Sequence, residues 1–141
     1  MPEPLVVRPG PGGRWVLHPP RDPHGDGYVV AVRVELDDDG LRADREVTFF
    51  ARGEPDLATF VDGLAAAWAG WPGERRWSSA DGDLLVDAVH DGRGHVTLGA
   101  TLRGPGPVGA WSARVAVEVE AGEQMRRLAA DLHALLRSPP G

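Results

Sequence analysis

Two histidines, His90 and His95, enclose the turn Asp91-Gly92-Arg93-Gly94. Imidazoles beside a carboxylate are the residue types that hold transition metals. Side-chain alternation argues against a shared site. Leu84, Val86 and Ala88 fall on one face of a strand and His90 continues that series, whereas Val96 sets the inward face of the next strand and turns His95 outward. The two rings are expected on opposite faces, and Asp91 alone cannot complete a set of three or four ligands. No metal is expected, and His90 reads as a hydrogen-bonded residue at the boundary of the sheet.

A second cluster, Glu35-Leu36-Asp37-Asp38-Asp39-Gly40 with Glu46, approaches the spacing of a calcium loop. It departs where it matters. Glu replaces Asp at the first position, Arg42 stands where an apolar residue belongs, and both flanks alternate like strands. A solvated acidic hairpin turn is the expectation. Acyl-transfer chemistry needs a hydroxyl beside a base and an orienting acid. Ser78, Ser79, Ser112 and Ser138 are the serines, and none sits in a Gly-x-Ser-x-Gly elbow. Glu118 and Glu120 share an outward strand face, where carboxylates ordinarily serve solvation. No Gly-x-Gly-x-x-Gly links a strand to a helix, and the glycines at 10, 12 and 13 belong to a proline-rich arm. No catalytic residue and no cofactor follow from these patterns, so the chain reads as a non-enzyme.

The five tryptophans are the least ordinary feature. Trp68 continues a helical stripe and Trp111 takes an inward strand position, so both are expected in the core. Trp71 and Trp77 bracket Pro72-Gly73-Glu74-Arg75-Arg76. Two readings stand for this corner. The tryptophans cap a helix-to-strand junction, or Trp71, Arg75, Arg76 and Trp77 form a binding patch, since Trp and Arg are enriched at interface hot spots.

The elements that position these residues follow from periodicity. Residues 28–37 alternate, with Val30, Val32, Val34 and Leu36 on one face. Asp38-Asp39-Gly40 turns the chain, and 41–52 returns with Val47, Phe49 and Phe50. Gly53-Glu54-Pro55-Asp56 opens a helix over about 55–69, with Pro55 at the first helical position. Leu57, Phe60, Val61, Leu64 and Trp68 form its stripe, and Gly70 and Pro72 stop it. Strands follow over 76–79 and 84–90, through Val96, Leu98, Ala100 and Leu102, and through Trp111, Ala113, Val115, Val117 and Val119. A final helix spans about 121–137 with the stripe Met125, Leu128, Ala129, Leu132 and Leu136. Seven of the 13 prolines lie within residues 1–23, which allows only short strands at 5–8 and 15–18. Short turns between consecutive strands make antiparallel pairs. The expected architecture is α+β: one meander-like sheet of six to eight strands with both helices on one face. Residues 1–27 form an arm of the same domain, 28–137 the domain proper, and 138–141 a frayed tail.

Composition narrows the partners. The 141 residues carry a net charge of −6 with a pI near 5.3, which disfavours nucleic acid. Cys, Lys, Asn and Ile are absent, so all 15 basic residues are Arg. No disulfide, thiolate metal site or Schiff-base lysine is available. No apolar run reaches the roughly 18 residues of a membrane span, and no signal peptide is visible, so a cytoplasmic setting is expected.

Five segments in series carry a resemblance: Trp68-Ala69-Gly70-Trp71-Pro72-Gly73-Glu74, then Trp77-Ser78-Ser79, then His90 through Leu98, then Trp111, then Glu120-Ala121-Gly122-Glu123 before the last helix. Their order and spacing over about residues 28–137 resemble an actinobacterial family known as domain of unknown function 6228. That resemblance implies a bacterial setting and no particular chemistry. Small size and acidic charge are similar to those of many bacterial immunity and antitoxin proteins. The expected function is a protein-interaction module, immunity-like, with an unidentified protein partner and self-pairing through an edge strand open. The alternative is a small-molecule binding domain with a pocket between sheet and helices, to which His90, Arg33, Arg114 and Trp77 would contribute.

Overall fold

Strand β3 (Val29–Asp38) and strand β4 (Leu41–Phe50) pair antiparallel around the Asp39-Gly40 turn, where Gly40 takes a positive φ of 77°. The short strands β1 (Leu5–Val7) and β2 (Arg14–Leu17) extend this hairpin to a four-stranded sheet of order β1-β2-β3-β4. The computed structural model describes residues 3–50, 56–107 and 110–137. Val32, Val34, Leu36 and Val47 point inward and are fully buried. The opposite face is a ladder of ion pairs: Arg14–Asp37, His18–Glu35, Arg33–Asp44 and Arg21–Glu46. Of the carboxylates that mimic a calcium loop, Glu35, Asp37 and Glu46 thus have cross-strand partners.

Helix α1 (Leu57–Ala66) starts where Asp56 accepts a hydrogen bond from the Thr59 amide at 2.8 Å. This is an N-cap bond, satisfying one of the donors a helix start leaves open. Asp56 being the cap, α1 begins after Pro55 rather than on it; residues 51–55, and with them the expected helix opening, lie outside the described residues. Leu57, Val61 and Leu64 are buried along one stripe.

The second half of the chain forms a separate sheet of order β5-β6-β7-β8, from β5 (Glu74–Ser78), β6 (Leu84–His90), β7 (His95–Arg103) and β8 (Ser112–Glu120), all antiparallel. Helix α2 (Glu123–Leu136) follows and packs on α1, β8 and β1. His133 Nε2 meets Asp62 Oδ2 across the two helices at 2.6 Å. The expected tail at 138–141 lies outside the described residues.

Among the described residues the fold is α+β with two helices, but the eight strands form two four-stranded sheets instead of one continuous sheet. The physical reason lies in which strands meet. β8 is the last strand of its sheet, and it packs against β2 and β3. Both of these already have ladder partners on either side, so no further ladder can form between the sheets. Side chains make the joint. The Trp15 indole N–H donates to the Val115 carbonyl at 2.9 Å, and Trp15 is only 4% exposed. Arg45 of β4 donates to the Arg103 carbonyl at 2.6 Å and pairs with Asp83 at 3.0 Å. Phe49 and Trp77 pack ring on ring with centroids 5.7 Å apart. Both sheets and both helices contribute to one hydrophobic core.

Gly13 brings the arm onto β8 so closely that a Cβ there would overlap the Val115 side chain. Two stability outcomes follow. Trp15→Phe keeps most of the ring but removes the buried indole N–H bond across the joint, and is expected to cost about 0.5–1.5 kcal/mol. Gly13→Ala overpacks the same joint and is expected to cost about 1–3 kcal/mol. Urea denaturation of each variant checks both. A loss under about 0.5 kcal/mol for both would show that the sheets are not coupled there.

Candidate functional site

The tail of α1 runs into β5 through a corner built around His90. The His90 Nδ1 accepts from the Gly92 amide at 2.9 Å, and its Nε2 lies 3.0 Å from the Trp68 carbonyl. With Nδ1 accepting, the proton sits on Nε2 and donates to Trp68. Gly70, at φ 122°, passes so near the ring that a Cβ would lie 3.2 Å from Nδ1. The Trp71 ring stands edge-on to His90 with centroids 5.3 Å apart, and its indole N–H donates to the Ala88 carbonyl at 3.2 Å. Arg75 lies over the Trp71 ring, 4.8 Å from its centroid. This is cation–π geometry.

The corner separates the four sequence-predicted residues. Trp71 is 9% exposed and belongs to the core. Trp77 is half-buried on the inward face against Phe49. Arg75 is exposed on that same strand face, and Arg76 points to the opposite face, where it pairs with Glu74. That bond and charge hold Arg76 above the ordinary guanidinium value.

Two tryptophans expected in the core are elsewhere. Trp68 is 62% exposed, because α1 ends at Ala66 and the helical stripe no longer applies to it. Trp111 is 37% exposed, because β8 begins one residue later. Its ring covers Gly104, where a Cβ would come within 2.6 Å of its Nε1.

The outer face of the second sheet carries two clefts of about 570 Å³ each. One is lined by Arg76, Trp77, Asp87, Thr101, Arg103 and Arg114 among others. Arg114 reaches from β8 across β7 to make two bonds with Asp87 of β6, at 2.8 and 3.2 Å. It can do so because Gly99 lies between them; a Cβ there would overlap the guanidinium. The bond to Asp87 holds Arg114 above its ordinary pKa. A smaller cleft of about 250 Å³ lies between strand and helix, lined by Leu5, Val7, Val119, Arg127, Leu128 and Asp131 among others, where the small-molecule reading looked for a pocket.

The other cleft of about 570 Å³ is lined by Pro9, Gly10, Pro11, His95, Glu118 and Glu120 among others. Beside it, ligand atoms of Asp91, His95 and Glu118 all lie within 4.8 Å of one another. Sequence reasoning missed this set because it weighed His95 only against His90. The outward parity of His95 and of Glu118 was readable; their adjacency required the β7–β8 register, which pairs Thr97 with Glu118 and His95 with Glu120. Asp91 Oδ1 accepts from the Arg93 and His95 amides, and these bonds hold its carboxyl below the usual range. Glu120 is not merely solvating. Its carboxylate accepts from the Gln124 and Gly122 amides while Gln124 accepts from the Glu120 amide, a reciprocal cap for α2 whose cap residue is a glycine. Those N–H groups hold the Glu120 pKa down.

The profile of a family of unknown function, DUF6228, matches residues 12–139, and the chain belongs to that family. No curated protein and no solved structure matches the chain. Among the described residues, no helix is long and apolar enough to cross a membrane.

Two outcomes test the corner and the cap. Trp71→Ala removes a buried aromatic and is expected to cost about 3–5 kcal/mol in a denaturant melt; a cost under about 1 kcal/mol would place the ring at the surface. Because the Glu120 pKa is depressed by folding, its contribution is present above the unfolded value of about 4.3 and is lost as pH falls through the folded value. Glu120→Gln is therefore expected to lower the melting temperature at pH 7 and to flatten its fall below about pH 4. An acid limb as steep as that of the parent would assign the loss to other carboxylates.

Proposed function

We propose that the chain is a non-enzymatic protein-interaction module, immunity-like in its economy, whose recognition surface is the exposed rim of the α1–β5 corner. One observation carries this reading. Trp68 presents a largely solvent-exposed indole from a backbone that is pinned, because its carbonyl accepts the His90 Nε2–H. An exposed tryptophan on a fixed backbone loses little entropy on docking and gains a large burial. Arg75, braced on Trp71, supplies a positive charge at the same corner. The fitting partner is a protein with an apolar pocket for the indole, flanked by carboxylates for the guanidinium. The hydroxyl groups support a non-catalytic reading: Ser79 Oγ is buried and accepts from the Leu84 amide, and Ser78 donates to the Ser79 carbonyl.

A second reading has its own observation. The cleft around Arg76, Asp87, Arg103 and Arg114 is large enough for a small ligand and offers guanidinium groups beside a carboxylate. Native mass spectrometry that finds a bound small molecule, lost on Arg103→Ala, would favour it.

The interaction reading is tested by pairing pull-down from native extract with thermal melts. Trp68→Ala and Arg75→Ala are expected to melt within a few degrees of the parent. Trp68→Ala is expected to weaken capture of the partner by roughly 30-fold, the effect of losing about 2 kcal/mol at a hot spot. A partner captured equally by the parent and by Trp68→Ala, or no specific partner at all, would overturn it.

A further inference from the structure

We infer that Asp91, His95 and Glu118 form a binding site for a first-row divalent cation such as Zn²⁺, with open coordination positions facing the adjacent cleft. The donors come from three places that the sheet holds in fixed register: the β6–β7 turn, the first residue of β7, and the interior of β8. Their ligand atoms already lie within 4.8 Å of one another. Metal–ligand distances of about 2.0–2.2 Å at tetrahedral angles require ligand separations of roughly 3.4 Å. The His95 Nδ1 to Asp91 Oδ2 distance is 3.7 Å, nearly that value. Rotation of the exposed Glu118 side chain closes the rest.

The roles of the neighbouring groups select these donors. Asp91 Oδ1 is committed to the Arg93 and His95 amides, which leaves Oδ2 as the oxygen turned toward the imidazole. Glu120 stands directly opposite His95 in the ladder, yet its two oxygens are committed to the start of α2. The diagonal neighbour Glu118 is the carboxylate that remains. Elsewhere on this face Asp87 is bonded to Arg114 and Glu74 to Arg76. Glu118 has no such cation partner among the described residues. An imidazole with two carboxylates suits Zn²⁺ and its first-row neighbours better than an all-oxygen set would. Three protein ligands leave at least one position open. His95 and Glu118 both line the cleft of about 570 Å³, so water or an oxygen donor of a docked molecule would fill that position.

The test uses the full chain after EDTA treatment and dialysis. Zn²⁺ is titrated by calorimetry, and Co²⁺ is added separately to read its visible d–d bands. Expected is one ion per chain, a rise in melting temperature with Zn²⁺, and a Co²⁺ spectrum shaped by nitrogen and oxygen ligands. Glu118→Gln and His95→Gln each change one exposed donor, so their metal-free melting temperatures should match the parent's. Each should weaken Zn²⁺ binding on the order of tenfold or more, at least the loss seen when a mere supporting group is removed. His24→Gln, a distant exposed histidine, should change nothing. Absence of binding heat, binding that survives both donor variants, or a response to Ca²⁺ with none to Zn²⁺ would each overturn the inference.

Discussion

A strand at the edge of a sheet leaves half of its backbone donors and acceptors without a ladder partner, and the rest of this structure depends on how β8 resolves that constraint. Its inward face closes the common core with Val115, Val117 and Val119, so its edge cannot be left to water along its whole length. The first sheet supplies the cover. Trp15 donates its indole N–H to Val115, and the close approach of Gly13 lets the arm lie against Val115 and Ala116. The buried indole N–H gains a partner, and the arm at Gly13, close to the Ala116 carbonyl, blunts an edge open to association. The proline-rich arm is thereby a structural part of the fold; without it β8 would present an unpaired edge beside a hydrophobic core.

The same division of labour runs through both sheets. Inward faces are largely apolar, and outward faces carry paired charges such as Arg33–Asp44 and Arg114–Asp87. Exposed pairs of this kind contribute little to stability individually. Their effect is on shape. Because Gly99 carries no side chain, Arg114 can lie flat across the sheet, and the cleft beside Arg76 and Arg103 takes its form from that. At the other end of the sheet His90 plays the coordinating part. It joins the Trp68 carbonyl, the Gly92 amide and the Trp71 ring, and so holds the exit of α1 against the β6–β7 turn. An exposed Trp68 on one side and the Asp91–His95–Glu118 cluster on the other are both positioned by this turn.

Much of this was legible in the sequence because it rests on local period. Val32, Val34 and Leu36 alternate inward as their spacing requires, and Met125, Leu128, Ala129 and Leu132 form a helical stripe. His90 and His95 do fall on opposite faces, as parity demands. What escaped depends on where elements end and which ones meet. The stripe of α1 extrapolates smoothly to Trp68, but the helix ends before it and the indole turns to solvent. Parity places Trp111 inward, yet the strand has not begun there. Eight alternating segments cannot announce that they divide into two sheets, since that depends on which edge meets which face. Glu118 and Glu120 look equivalent in sequence; only the start of α2 distinguishes the helix cap from the carboxylate beside His95.

Native-state hydrogen exchange tests the joint between the sheets most directly. Slow amides in β2 and β3, such as those of Leu17 and Val34, report on the first sheet. Those of Val96 and Val117 report on the second. If the Trp15–Val115 contact and the shared core make the two sheets one cooperative unit, all four exchange through a single global opening with a common free energy. The same denaturant dependence should then describe each of them. Exchange of the β2 and β3 amides through a lower-energy opening that leaves Val96 and Val117 protected would contradict that coupling.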